Sequence, residues 1–300
     1  MGVKELLRPT DIRRATVEKW AWASLAANTV IILTGGLVRL TGSGLGCPTW
    51  PKCTDESFVP HSSLGWHGAI EFGNRLLTYV LIAVAIATFV AVWRWRGATP
   101  LLRRLTLVMA LGIPFQGVIG GITVLTQLNP WVVSLHLLLS MGLVVASTVL
   151  LVKVRGGGGL GVDDLTRTIL YAAYGVLLAA IYLGTVVTGS GPHAGDVDAP
   201  RNGLDPQLWS RIHAASVWVL VVLTVIVVWR LRRHQARTAA LTLLIVELAQ
   251  GLIGYVQYFT DLPIALVAAH LVGGAVLLAA ATHLVVAVSP SRDREPVAAS

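Results

Sequence analysis

Charge is scarce in this sequence: Asp, Glu, Lys and Arg make up 13% of its 300 residues, against 55% hydrophobic ones. A soluble domain ordinarily carries about twice that share of charge, so a water-exposed globular surface is excluded for most of the chain, and the bilayer is the solvent that suits it. Mean hydropathy is +0.72. Acidic residues are the scarcer sign, 15 against 23 basic, giving a net charge of +8. That balance invites a nucleic-acid reading, but the basic residues cluster at alternate helix ends and form no folded basic face, so no nucleic-acid partner is expected. Cysteine is limited to Cys47 and Cys53, and their spacing does not by itself indicate zinc, which would need further ligands. The first residues lack a short apolar core with a small-residue cleavage site. They contain Glu5, Asp11 and Glu18, whereas transit peptides are poor in acids, so they read as a retained tail.

What the chain has in quantity is long apolar runs. Eight of them, near 21–40, 69–93, 105–125, 131–152, 168–188, 212–229, 239–259 and 265–287, are each long enough to cross about 30 Å of hydrocarbon as a helix. All Lys and Arg except Arg39, Lys52, Arg75, Arg201 and Arg211 fall in 1–19, 94–104, 153–167, 230–237 and 289–300. By the positive-inside rule these segments and both termini are cytoplasmic, and function is expected at the opposite, outer side.

The runs repeat. Gln116-Gly117-Val118-Ile119-Gly120 in the third returns 134 residues later as Gln250-Gly251-Leu252-Ile253-Gly254 in the seventh. The register then holds without a gap: Thr126 falls on Thr260, Leu128 on Leu262, Val133 on Val267 and His136 on His270. Thr41-Gly42-Ser43-Gly44 is echoed by Thr188-Gly189-Ser190-Gly191. Polar residues and a turn that stay in register point to tandem duplication. The expected fold is an all-α integral membrane protein: eight transmembrane helices as two tandem four-helix bundles, related by a pseudo-two-fold axis along the membrane normal. The divisions are a cytoplasmic tail (1–20), an N-terminal half (21–152), a cytoplasmic linker (153–167), a C-terminal half (168–287) and a second tail (288–300).

An ionisable side chain inside a span is costly unless paired, which marks His136, His213 and His270. A packed, hydrogen-bonded histidine is the plain alternative for each. His136 and His270 occupy equivalent positions, however, and His213 lies at matching depth on the sixth helix. Two neutral imidazoles from facing helices can hold one haem iron, and a helix bundle provides the slot.

Residues 36–53, Gly-Leu-Val-Arg-Leu-Thr-Gly-Ser-Gly-Leu-Gly-Cys-Pro-Thr-Trp-Pro-Lys-Cys, together with Glu71-Phe-Gly-Asn74-Arg75, the paired Gln-Gly helices and the three histidines, resemble the heme A synthase family, in its bacterial type with a cysteine pair in the first outer loop. The resemblance implies a membrane oxidoreductase that converts a methyl group of heme O to a formyl group, giving heme A for terminal oxidases. It implies haem b in the C-terminal half on His213 and His270, and substrate haem in the N-terminal half facing His136. It also implies a bacterial cell membrane location, with heme O synthase and an electron acceptor as possible partners.

One departure stands out: the family commonly has Glu-x-x-His-Arg on the second helix, and here Asn74 replaces the histidine. His67 lies seven residues earlier on nearly the same face. Measured from the Val-Trp-Arg sequences at Val92 and Val228, Asn74 departs from the depth of His213 by about 5 Å and His67 by about 15 Å. His67 is therefore expected near the outer surface, a weak candidate for a second iron ligand. Glu71 reads as a general base or as a negative charge near the reacting carbon, or alternatively as an i,i+4 ion-pair partner of Arg75. Arg39, Arg75 and Arg211 near outer helix ends could hold haem propionates bidentately or simply snorkel. Gln116 and Gln250 read as interhelical donors. Cys47 and Cys53 can form a disulfide in an oxidising compartment, either structural or an electron relay. Two rival readings differ in signature: a quinol-linked di-haem cytochrome needs histidine pairs in both halves, and a transporter needs midplane charges and broken helices, neither of which is evident.

Overall fold

The computed structural model describes residues 12–290 and is all-helical. Its long helices are α1 (Arg14–Leu40), α2 (Gly65–Arg94), α3 (Pro100–Leu125), α4 (Pro130–Val154), α5 (Asp164–Ser190), α6 (Pro206–Arg230), α7 (Arg237–Phe259) and α8 (Ile264–Val288). All eight are long and apolar enough to cross a membrane. Most overrun the apolar stretches read from the sequence. α1 is helical from Arg14, inside the segment expected to be a tail, and α5 starts at Asp164 rather than 168. Hydropathy marks only the part in hydrocarbon, whereas the helix continues until its end groups find caps. Thr99, Asn129, Asp163 and Asp205 each accept backbone N–H bonds at an N-terminus, three of them followed by Pro at the first helical position. Glu5, Asp11 and most of the expected C-terminal tail lie outside the described residues.

The repeat is present in the backbone. Gln127 and Leu128 between α3 and α4 adopt φ of 52° and 57°, and Asp261 and Leu262 between α7 and α8 adopt 58° and 57°. Non-glycine residues rarely enter this region. In both turns the second leucine closes the helix end the same way, Leu128 N–H to the Thr123 carbonyl and Leu262 N–H to the Gln257 carbonyl, each at 2.8 Å. The matched turns set the angle at which His136 and His270 enter their helices.

Within each half, consecutive helices pack and the first closes on the last. Across the seam α4 meets α8, while α1 lies on α8 and α5 on α4, a reciprocal pattern. Leu271 of α8 covers Gly36 of α1, where a Cβ would collide with it. With lipid as solvent, small residues and buried polar pairs hold such helices together. In the N-terminal half Ser24 meets Thr88 at 2.8 Å and Asn28 donates to Ser147 at 3.2 Å.

At the basic end Asp163 joins α5 to α6. Its carboxylate accepts from the Thr166 hydroxyl and amide and from Arg230, whose Nε also donates to the Thr166 hydroxyl at 2.6 Å. The Thr166 bonds first, and Arg230 after them, lower the Asp163 pKa from 3.8 to about 2. A carboxylate lowered in the folded state contributes stability above its unfolded pKa and loses it as pH falls through the folded one. Asp163→Asn, which keeps a capping side chain, is expected to melt below the wild type at neutral pH. The gap should narrow from about pH 4 to about pH 2; thermal scans in detergent showing a constant gap would contradict this.

Candidate functional site

In the C-terminal half His213 of α6 and His270 of α8 face one another, with ring centroids 6.4 Å apart and planes at 83°. A metal between two imidazoles requires roughly 2 Å of bond and roughly 1 Å of ring radius on each side, a separation of about 6 Å. The pair therefore has the spacing of two axial ligands. His213 Nδ1 lies 2.9 Å from the Ala180 carbonyl, to which it donates, leaving Nε2 with a free lone pair. His270 Nδ1 is buried without a hydrogen-bond partner. Glycines make room for both rings. A Cβ on Gly184 would stand 3.4 Å from the His213 ring, and one on Gly254 would stand 3.2 Å from that of His270. Gln250 donates to the His270 carbonyl at 3.2 Å, which ties α7 to α8 beside the imidazole pair.

The N-terminal half reproduces this construction around one histidine. Gln116 donates to the His136 carbonyl at 3.0 Å and to Ser140 Oγ at 2.6 Å, and Gly120 underlies the His136 ring as Gly254 underlies that of His270. Both glutamines are thus interhelical donors, as their sequence positions suggest. His136 Nδ1 is also buried and unpartnered. The partner position is different. Asn74 accepts from the Thr34 hydroxyl at 2.8 Å, and His67, in the first turn of α2, meets Ser43 Oγ through Nδ1 at 3.0 Å. His67 is thus tied to the loop after α1. Among the described residues no ring contact pairs His136 with another histidine.

Beside Gly120, Gly121 has a separate use. The indole of Trp50 from the first loop lies against it, where a Cβ would collide with the ring. The equivalent residue in the second half is Tyr255, whose hydroxyl instead accepts from Trp218 at 2.9 Å. The Gly120-Gly121 pair therefore serves one histidine and one tryptophan, a contact the sequence reading missed. A tryptophan set between the two cysteines was the available signal.

That loop is held from below. Cys47 and Cys53 form a disulfide. Glu71, 5% exposed, accepts the Cys47 N–H on Oε2 at 2.6 Å, and its Oε1 pairs with Arg75 at 2.6 Å. Arg75 then donates to the carbonyls of Cys47, Thr49 and Lys52 at 2.9, 3.0 and 3.1 Å. The ion pair seen as one alternative in the sequence exists, with the further task of clamping the disulfide loop over the N-terminal half. Arg39 similarly donates to the carbonyls of Thr188 and His193 at 2.9 and 2.6 Å, linking α1 to the loop after α5. Arg211 is exposed two residues before His213 and makes no hydrogen bond or ion pair within the described residues. A further polar residue escaped the sequence reading: Glu247 at the middle of α7 is 1% exposed. The expectation of no midplane charge is corrected here. Glu247 is the one acidic residue in an otherwise uncharged run, the signal that would have revealed it.

Two facing imidazoles and a matched single one, inside eight membrane-spanning helices, define a multi-pass membrane protein with the ligand chemistry of haem. The family model described as cytochrome oxidase assembly protein (COX15-CtaA) matches residues 18–69 and 66–195, more than half of the chain. The chain belongs to this family. It is 29% identical to a heme A synthase of Halalkalibacterium halodurans over 68% of this chain and 73% of the relative. It is 25% identical to one of Rhodopseudomonas palustris, covering 96% and 95%, and 24% identical to one of Listeria monocytogenes, covering 91% and 96%.

Proposed function

We infer that the chain is a heme A synthase: an oxidoreductase that acts on heme O in the membrane and oxidises one methyl group to a formyl group. Haem b is held in the C-terminal half by His213 and His270, and the substrate binds in the N-terminal half against His136. The observation that carries this reading is the 6.4 Å histidine pair in one half set against a lone histidine, built on the same Gln-Gly scaffold, in the other. A two-fold relation between the halves, with its axis along the membrane normal, belongs to this reading; the reciprocal seam and the matched turns support it. Two strong ligands suit a resident cofactor, whereas one ligand leaves the substrate iron an open side.

A methyl group becomes a formyl group by loss of four electrons and four protons when water supplies the oxygen, so an electron acceptor and a proton route are both required. Bound haem b supplies one-electron chemistry. The chain's own residues do the rest. Glu71 is close to the loop that covers the N-terminal half and is the carboxylate placed to accept a proton, or to stabilise positive charge, at the reacting carbon. Arg211 has its whole guanidinium available for a propionate. Arg39 and Arg75 already bind carbonyls, and can contact a propionate only with the N–H groups left over. Trp50, packed against Gly121, fixes the disulfide loop over the N-terminal half. The Cys47–Cys53 disulfide suits an oxidising compartment at this end, and the clustering of Lys and Arg at the opposite end supports a bacterial cell membrane orientation with that end, and both termini, in the cytoplasm. Heme O synthase is the partner expected to deliver substrate.

Expressing the full chain with a heme O source and extracting the pigments is expected to yield heme A. A preparation that binds haem B alone and produces no heme A would instead support an electron-transfer cytochrome.

A further inference from the structure

Glu247 has no role in the chemistry described so far, although its position is costly. It lies on the buried stripe Ala240, Leu243, Glu247, Gln250 of α7. The Thr224 hydroxyl of α6 is the polar group beside it, near enough to interact with the carboxyl group, but too long or bent for a well-formed hydrogen bond. Gln250, one turn further along, also leaves Oε1 buried and unpartnered while its Nε2 holds the His270 carbonyl. Four unpartnered oxygens thus lead from mid-membrane toward the histidine pair. A side chain kept only to bind helices together would have made its bonds.

The surrounding charges are used elsewhere. α6 carries Arg211, His213 and Arg230, and Arg230 is bound to Asp163 and Thr166. α8 carries His270 and His283, the latter exposed near its basic end. Tyr174 of α5 is bonded to Thr282. α7 itself has Arg237 at its start, and Tyr255 and Tyr258 near its other end. None of the described ion pairs includes Glu247.

We propose that Glu247, with Thr224 beside it, is a proton-binding site coupled to the haem held by His213 and His270. Reduction of that iron from the ferric to the ferrous state by one electron favours binding of a proton on the Glu247 carboxylate, and reoxidation favours its release. The inference rests on the haem-site reading above. Gly254, against the His270 ring, is seven residues along α7 from Glu247, a rise of about 10 Å. At that distance, in a water-poor bundle, a unit of charge at one site shifts an equilibrium at the other by about tenfold or more. Each electron that passes through the haem during methyl oxidation is then partly balanced in charge by a proton at Glu247.

The test is a spectroelectrochemical titration of the haem in the purified full chain at several pH values between about 5 and 9. The wild-type midpoint potential is expected to fall as pH rises, by about half a proton per electron where the slope is steepest, as a roughly tenfold coupling gives. Glu247→Gln should flatten that slope with the low-spin spectrum unchanged; haem propionates, which also titrate, would leave the slope in place in this variant. A wild type with no slope, or a Glu247→Gln variant that keeps it, overturns the proposal. Infrared difference spectra of the wild type provide a second reading that needs no variant: reduction should produce a protonated-carboxyl signal, and its absence overturns the proposal. Should Glu247→Gln not accumulate, Thr224→Val is expected to move the pH window, and an unmoved window counts against the site. A low-spin spectrum that survives His213→Ala would instead overturn the haem-site reading, an outcome distinct from a spectrum that stays normal while its potential ignores pH.

Discussion

Replacing His213 or His270 by alanine is expected to remove the low-spin haem spectrum from the purified protein, whereas His136→Ala keeps that spectrum and stops formation of heme A. The asymmetry follows from the geometry. His213 and His270 are 6.4 Å apart between ring centroids, so with haem held between them as proposed, loss of either would leave its iron one axial ligand. Second-shell groups around metal ligands typically change affinity by about 10- to 100-fold, and loss of a ligand itself exceeds that. His136 stands on the other half, with Asn74 bonded to Thr34 where a second histidine would be. Absorption spectra and pigment extraction, run on the same preparations, separate the two outcomes. A His136→Ala protein that loses low-spin haem while His213→Ala keeps it would exchange the roles of the halves.

The second large effect is expected at the clamp beneath the disulfide loop. Arg75→Leu removes the partner of a carboxylate that is 6% exposed and frees the carbonyls of Cys47, Thr49 and Lys52 at once. Breaking one member of a largely buried pair costs on the order of 3 kcal/mol. The melting temperature should fall, and the disulfide should be reduced faster by an added thiol. Arg75→Lys restores the charge but not the planar fork that reaches several carbonyls, so partial recovery is expected. Glu71→Gln differs: an amide oxygen still accepts from Cys47, so the loop stays in place and haem b is retained, while heme A formation is lost. Unchanged melting and unchanged disulfide accessibility in Arg75→Leu would show that the loop is held by other means. Normal turnover in Glu71→Gln would remove that carboxylate from the mechanism.

Much of the architecture was legible from residues alone. Apolar run length counts the spans because each must cross the same thickness of hydrocarbon. The Gln-Gly and Thr-x-Leu echoes at a fixed offset were readable because duplication preserves spacing, and the structure returns them as paired left-handed turns at Leu128 and Leu262. The fates of the arginines were not legible. Arg39 and Arg75 stand near outer helix ends, where a propionate and a loop carbonyl are equally good acceptors. Which one the guanidinium meets depends on the path of loops that have no periodicity. Helix starts were also displaced, at Arg14 and Asp164, because caps and not hydropathy end a helix.

By itself, then, the sequence determined eight spans, two related halves, a basic and a disulfide-bearing end, and the histidines worth following. All of these depend on composition or spacing along the chain. Only the tertiary structure decided that His213 faces His270 while His136 faces no other histidine, that Trp50 fills the space over Gly121, that Arg75 clamps a loop and that Glu247 is buried beside Thr224. Those are contacts between segments distant in sequence, and they exist only once packing has chosen which faces meet.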